Sequence, residues 1–391
     1  MAKISVKDLE LENKKVLVRV DFNVPLKEGK ITDDTRIRTS LLTINYILKQ
    51  NPRKLILISH LGRPKGKVVE SLRMGPVAKR LEELLGEKVL KLDDCVGEKV
   101  KREIDSFGGL VVLLENVRFH PEEEKGDEEF AKKLAELADI YVNDAFGTAH
   151  RAHASTTKIA KFLPSCIGFL MEKEIEYLSK ALNPERPYVV ILGGAKVSDK
   201  IGVVNNLIDK VDKFLIGGAM AYTFLKSKGI SVGNSKVEEE KIDLAKEILD
   251  KAESKGVKIV LPLDHVVVED INLSHTKKIV EEVPEGFMGV DIGPQTASLF
   301  LKELEGAKTV LWNGPLGIFE NPHYANGSKE IATGLANFLD TTVIVGGGDT
   351  ASCVSEFGVK DKLAHVSTGG GASLEFLEGK ELPAIAVIPE K

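Results

Sequence analysis

Two groups of residues in this sequence have the types and spacing to do chemistry. The first is charged and hydrogen-bonding. It comprises Asp21-Phe22-Asn23, Arg36, Ser59-His60-Leu61-Gly62-Arg63, Arg118-Phe119-His120, Asn143-Asp144 and His150-Arg151-Ala152-His153. Arginine forms bidentate pairs with carboxylate or phosphate. One Arg alone is ordinarily a surface ion pair, but Arg and His recurring after successive apolar runs make a basic basin for a small polyanion. The second group is rich in glycine: Gly193-Gly194-Ala195-Lys196, Gly217-Gly218-Ala219, Asn313-Gly314-Pro315, Gly346-Gly347-Gly348-Asp349-Thr350 and Gly369-Gly370-Gly371. Glycine lets backbone N–H groups approach a phosphate closely, and a following helix N-terminus adds a favourable dipole. A single glycine pair is an ordinary tight turn; five clusters favour a nucleotide site. Neither G-x-x-x-x-G-K-[ST] nor a strand followed by G-x-G-x-x-G occurs, which excludes a P-loop and weakens a dinucleotide dehydrogenase.

Three charged residues sharpen the second group. Lys196 and Lys200 flank an expected helix start, where the dipole disfavours cations, so they call for an anionic partner. Asp349 lies at another helix start and has two readings. It is an N-cap, or it is a carboxylate that meets phosphates through a bridging Mg2+. His150 and His153 are three residues apart, but nothing completes a tetrahedral zinc set around them. The acidic stretch 122–125 reads as a solvated loop.

These residues need a scaffold. Apolar runs of three to five residues without alternation, at 16–20, 55–58, 110–114, 140–142, 189–192, 214–216, 258–261, 309–312 and 342–345, fit strands buried on both faces. Amphipathic stretches at 73–85, 128–138, 200–210, 241–255 and 331–339 lie between them. This alternation predicts a doubly wound α/β architecture, in which ligands sit beyond the carboxyl ends of the strands. Both chemical groups fall there. A helix over 169–180, followed by the two prolines of 181–187, marks a boundary across which the turns change from charged to glycine-rich.

Composition bounds the rest. The chain has 391 residues, 43% of them hydrophobic and 29% charged, which is an ordinary globular profile. A net charge of −5 gives no basic field for nucleic acid. No apolar run approaches the ~18 residues that span a bilayer, and the charged N-terminus lacks a secretory core. Cys95, Cys166 and Cys353 are far apart, with no CxxC pair, and read as thiols of a reducing compartment rather than a disulfide framework or zinc site. A cytoplasmic monomer is expected, with no nucleic-acid or membrane partner.

The motifs also resemble a known family. Arg19-Val20-Asp21-Phe22-Asn23-Val24-Pro25, Ser59-His60-Leu61-Gly62-Arg63-Pro64, Glu115-Asn116-Val117-Arg118-Phe119 and Asn143-Asp144-Ala145-Phe146-Gly147-Thr148-Ala149-His150-Arg151 are similar to signatures of the phosphoglycerate kinases. So are Gly193-Gly194-Ala195-Lys196-Val197, Trp312-Asn313-Gly314-Pro315, 346–350 and 367–371, in the same order, over about 16–382. The short tail beyond them leads us to expect no second, fused enzyme.

The resemblance implies two doubly wound parallel-sheet domains facing each other across a hinge-bending cleft. Residues 1–168 with 379–391 would bind the triose and 169–378 the nucleotide. It implies reversible phosphoryl transfer from 1,3-bisphosphoglycerate to ADP, giving 3-phosphoglycerate and MgATP, in glycolysis and gluconeogenesis. By motif, Asp21, Phe22, Asn23, Arg36, Ser59, His60, Leu61, Gly62, Arg63, Arg118 and Arg151 would hold the triose. Gly193, Gly194, Lys196, Lys200, Gly217, Gly289, Asn313, Pro315, Glu320, Gly346, Gly347, Gly348, Asp349 and Thr350 would hold the nucleotide, with Asp349 on Mg2+ and Glu320 at the ribose. Arg36, Lys196 and Gly371 would serve the transfer itself. Two other readings remain at this point: a dehydrogenase with an unusual cofactor loop, and a two-lobed binding protein for an anionic metabolite.

Overall fold

Each apolar run read from the sequence forms a strand. The computed structural model describes residues 2–391, in two compact units. One is made of Met1–Ile175 with Glu381–Lys391, and the other of Glu176–Lys380. The chain passes from the first to the second within the helix Phe169–Leu182.

The strands of the first unit are β1 (Lys15–Arg19), β2 (Leu26–Lys27), β3 (Lys30–Ile31), β4 (Lys54–Ile58), β5 (Val89–Lys91), β6 (Val111–Leu113), β7 (Ile140–Asn143) and β8 (Ser165–Ile167). Six form one sheet in the order β5-β6-β4-β1-β7-β8, with every pair parallel. β2 and β3 make a separate antiparallel pair. Val16, Leu17, Val18 and Leu55, Ile56, Leu57 are fully buried, as strands covered on both faces require. Arg19 is in register with Ile58 and with Asn143. The residues after β1, β4 and β7 therefore emerge side by side, which is how distant motifs meet.

The second unit holds β9 (Tyr188–Leu192), β10 (Lys213–Ile216), β11 (Lys258–Val260), β12 (His265–Val268), β13 (Lys278–Val280), β14 (Met288–Ile292), β15 (Thr309–Asn313), β16 (Thr342–Gly346) and β17 (His365–Val366). Its main sheet runs β11-β10-β9-β15-β16-β17, all parallel. The strand order reverses between β9 and β15, and ligands of doubly wound sheets bind at such a switch point. Asn313 pairs with Leu192 on one side and Gly346 on the other, so three glycine-rich turns leave the sheet at one level.

Some expectations change. A small antiparallel sheet, β13-β12-β14, was not anticipated. β13 is largely exposed, and β14 carries Gly289 and Asp291, so neither reads as a buried run. The helix expected at 331–339 instead spans Asn326–Leu335, because buried Asp291 accepts the Gly327 N–H at 2.7 Å and fixes an earlier start. The stretch 122–125 is not a solvated loop. It lies in the helix Pro121–Lys125, where Pro121 suits the first turn, the glutamates suit the dipole, and Glu123 is completely buried.

The three cysteines are free and buried. Cys95 lies with Asp94 and His120, their ligand atoms within 4.8 Å of one another, and the Asp94–His120 pair at 2.7 Å occupies that space. The C-terminal segment is stitched into the first unit. Lys3 Nζ donates to the Ile388 carbonyl at 2.9 Å, the Ala384 N–H to the Ala149 carbonyl at 3.1 Å, and Lys391 pairs with Asp8 at 2.8 Å. No helix among the described residues is long and apolar enough to cross a membrane.

Candidate functional site

Each unit carries one candidate site. In the first, the turns after β1 and β4 are knitted together. The Phe22 N–H donates to Ser59 Oγ at 2.9 Å, and the Gly62 N–H to Asn23 Oδ1 at 2.8 Å. Asn116 holds the loop from below, with its Nδ2 on the Leu61 carbonyl at 2.7 Å and its Oδ1 accepting from the Leu61 N–H at 3.2 Å. Arg118 donates to the Gly62 carbonyl at 3.1 Å, and Arg36 donates to the Asp21 carboxylate. Nine of the expected triose residues, all but Arg63 and Arg151, thus sit on one bonded framework. Phe22 and Leu61 contribute backbone only, because their side chains are in the core.

Arg63 and Arg151 are exposed, and neither guanidinium makes an ion pair among the described residues. Free arginines around neutral histidines leave this surface short of negative charge. Burial drives His60 well below its ordinary range, reinforced by Arg19, Arg118 and Arg36. Burial also pushes His153 down to about 4, again helped by Arg118 and Arg19, with Arg151 adding to it. Asn143 and Asp144 do not join the basin. Both are buried, and Asp144 Oδ1 accepts the Leu170 and Met171 N–H groups at 2.9 and 3.2 Å, at the start of the helix Phe169–Leu182.

Sequence reasoning missed what lies beneath the basin. Arg19 is wholly buried at the end of β1, Glu123 is wholly buried, and Ser155 lies between them. A signal existed: an arginine inside an otherwise apolar strand must find buried acceptors.

In the second unit the turns at Gly193, Gly217, Gly218 and Gly314 are packed so tightly that a side chain is excluded, whereas Gly194, Gly348 and Gly370 face open space. A Cβ on Gly193 would strike the Gly314 and Pro315 carbonyls, and Gly314 holds a φ of +103° against the Gly193 backbone. The Gly194 N–H donates to the Pro315 carbonyl at 2.8 Å, and the Gly314 N–H to Thr350 Oγ1 at 2.7 Å. They border a cavity of about 610 Å3, lined by Lys196, Lys200, Asn313, Gly347, Gly348, Asp349 and Gly371 among others.

Lys200 precedes the helix Ile201–Leu207, and its ammonium donates to Asn313 Oδ1. Burial lowers its pKa, against the pull of Asp199, Asp349 and Glu378. Asn313 Nδ2 is buried and has no hydrogen-bond partner. The helix Gly348–Glu356 starts on Gly347, and no side chain caps it. The N-cap reading of Asp349 is therefore wrong. The residue lies in the first turn, exposed on the cavity, and its carboxylate makes no hydrogen bond or ion pair among the described residues.

A second cavity of about 370 Å3 adjoins the first, sharing Gly194, Ala195, Pro315 and Asp349. Its walls are more apolar: Tyr222, Ile271, Met288, Val290, Leu316 and Ile318, with Glu320 and Gly289 also lining it. Gly289 has no room for a Cβ beside the Tyr222 hydroxyl, and Gly217 none beside Leu316. A polar, glycine-cradled chamber joined to an apolar one has the division of a phosphate chain and a nucleoside.

Comparison with known proteins decides the family. The sequence matches the family model described as phosphoglycerate kinase over residues 6–380. The chain belongs to the phosphoglycerate kinase family. A phosphoglycerate kinase of Thermosipho africanus is 57% identical over 398 residues, covering 100% of this chain and 99% of that protein. One from Dictyoglomus turgidum is also 57% identical, with 100% of each covered. Among solved structures, the phosphoglycerate kinase from Coxiella burnetii is similar with a TM-score of 0.88 at 41% identity, and that from Pyrococcus horikoshii with 0.85 at 33%, each covering 98% of both chains. As a phosphoglycerate kinase, this chain is a glycolytic phosphotransferase, and the dehydrogenase and binding-protein readings fall away.

Proposed function

We propose that the first unit's basin binds the triose, that the joined cavities bind the nucleotide, and that the chain moves a phosphoryl group between 1,3-bisphosphoglycerate and ADP. The assigned domains are 1–168 with 379–391 and 169–378. The observation that carries the nucleotide half is Asn313 Nδ2, a buried donor with no partner, beside a Lys200 ammonium whose charge burial opposes. Unpaired buried donors are costly unless a ligand completes them. An oligophosphate entering at the glycine turns does so. Glu320, on the rim of the smaller cavity, is assigned to the ribose.

Asp349 is the residue to hold Mg2+. Its carboxylate is a hard oxygen donor, uncommitted to any protein group, at the phosphate chamber. When bound, the ion neutralises charge shared between phosphates. The chain's own part is positioning and charge stabilisation. Lys196, Lys200 and the backbone N–H groups of 347–350 and Gly371 orient the phosphates. Arg63, Arg118 and Arg151 hold the triose anion. Arg36, released from or shared with Asp21, meets the transferring group. No general base is required, because the acceptor is ionised in either direction: the terminal phosphate of ADP, or the carboxylate of 3-phosphoglycerate. Reaction needs the two phosphates at about 3–3.5 Å and water kept away, so we assign a closure about 169–180 and Gly369-Gly370-Gly371. The free, buried thiols support a reducing, cytoplasmic compartment, and we assign a monomer with no nucleic-acid or membrane partner.

The test is formation of ATP from 1,3-bisphosphoglycerate and ADP by the purified chain, coupled to removal of 3-phosphoglycerate. ATP formation that requires Mg2+ supports the reading. Absence of ATP with a folded chain overturns it.

A further inference from the structure

We propose that Arg19 is a positioning residue that holds His60 as a neutral imidazole with its proton on Nε2. This rests on the reading of His60 as a triose ligand. Arg19 has no exposed surface and spends its fork on three groups. Nε donates to Ser155 Oγ at 2.9 Å, Nη1 to the Val20 carbonyl, and Nη2 lies 3.2 Å from His60 Nδ1. A guanidinium has five N–H donors and no acceptor. His60 Nδ1 must therefore accept, and in a neutral ring the proton is then on Nε2.

The rest of the network has a consistent direction. The Ser155 hydroxyl receives from Arg19 and donates to Glu123 Oε1 at 2.6 Å, while the Ser155 N–H donates to Glu123 Oε2 at 2.8 Å. The buried Glu123 carboxyl, one hydroxyl and a buried guanidinium thus form a chain that ends on the imidazole. Burial is the largest influence on His60, followed by Arg19, Arg118, Arg36 and His153, and each of these opposes a second proton on the ring; the carboxylates nearby, Glu123 and Asp21, are engaged by Ser155 and Arg36. His60 then supplies a fixed, uncharged donor to an anion whose charge the exposed arginines neutralise. Its donor capacity does not depend on pH across the neutral range.

The experiment uses the full-length chain with 15N-labelled histidine, the His60 resonances being assigned by their loss in His60→Gln. Long-range 1H–15N spectra separate a bare Nδ1 from a protonated one. The expected result is a neutral ring with bare Nδ1 and protonated Nε2 from pH 5.5 to 8. A protonated Nδ1, or titration of His60 in that range, overturns the proposal. Arg19→Lys keeps the charge and loses the fork. It should give a mixed or titrating His60 signal and raise KM for 3-phosphoglycerate about tenfold, as for one hydrogen bond to a charged group, with kcat nearly unchanged. If Arg19→Lys does not fold, Ser155→Ala, which leaves the guanidinium but frees its Nε, should broaden or shift the same resonances. Unaltered His60 spectra in the folded variant overturn the proposal. Failure of the underlying reading looks different: the wild-type tautomer is as stated, but 3-phosphoglycerate does not move the Nε2 resonance.

Discussion

Asp144 offers a quantitative test of how the first unit carries its helix. The carboxyl is fully buried, and one oxygen accepts two N–H groups at the start of Phe169–Leu182 while the other has no hydrogen-bond partner. Burial pushes its pKa from 3.8 up to about 6, against the pull of the Thr43 hydroxyl and then of the Met171 and Leu170 N–H groups. A carboxyl whose folded pKa is raised contributes stability that is present below the unfolded pKa and is lost as pH rises through the folded one. With 3.8 unfolded and about 6 folded, ionisation costs about 1.6 kcal/mol at pH 5 and about 3 kcal/mol at pH 8. Asp144→Asn keeps the accepting oxygen and abolishes the ionisation. The variant's stability relative to the parent should therefore rise by about 1.4 kcal/mol between pH 5 and pH 8. Urea unfolding followed by circular dichroism at several pH values measures this difference, and the constant cost of placing an amide there cancels. A difference that is flat with pH, or that falls, would show that the carboxyl is held ionised by its helix and that the burial argument is wrong.

Three further outcomes test the proposed function. Arg36→Ala should lower kcat by two to three orders of magnitude, in the range of arginines that stabilise a transferring phosphoryl group, with 3-phosphoglycerate binding much less affected; a raised KM at normal kcat would make it a uniform binding residue. Asp349→Asn should reduce turnover on the order of 100-fold, since a metal supplies several kcal/mol of charge stabilisation, while metal-free ADP binds as before. Equal weakening of metal-free and metal-bound nucleotide would remove Asp349 from the metal. Small-angle scattering should show compaction chiefly when 3-phosphoglycerate and an unreactive MgATP analogue are bound together, because on the proposed assignment each alone contacts mostly one domain. An unchanged radius of gyration in the ternary complex speaks against closure.

The sequence made the parallel sheets legible because strands buried on both faces leave unbroken apolar runs, as at β1, β4, β9 and β15. It made the candidate sites legible because ligands of such sheets gather at strand ends, where Asp21, His60, Gly193 and Asn313 stand. Elements that are half exposed or interrupted were not legible. β13 has no buried run to detect, and β14 carries a glycine that excludes a clash with Tyr222 and an aspartate that caps a distant helix. Glu123 misled for a different reason. In Glu122-Glu123-Glu124-Lys125 nothing distinguishes the one carboxylate that turns inward, since its partners Ser155 and Arg19 are 32 and more residues away. Asn143-Asp144 likewise has the composition of a ligand-binding tip. Its carboxylate is taken by backbone donors whose position only the register of β7 and β8 defines.

The tail of the chain carries a consequence for the order in which the molecule is made. Residues 381–391 belong to the first unit, whereas the second is an uninterrupted stretch, 176–380. During synthesis the second unit has its whole sequence available before the first does. Until residues 381–391 leave the ribosome, Lys3 has no Ile388 carbonyl to bind, and a contact spanning 385 positions is still open. The entropy of closing so long a span grows only logarithmically, by about 0.6 kcal/mol per doubling. The clasp is thus thermodynamically modest and closes only after the second unit's sequence has been made. A chain that lacks 381–391 has the whole sequence of the second unit but a first unit without its final seam.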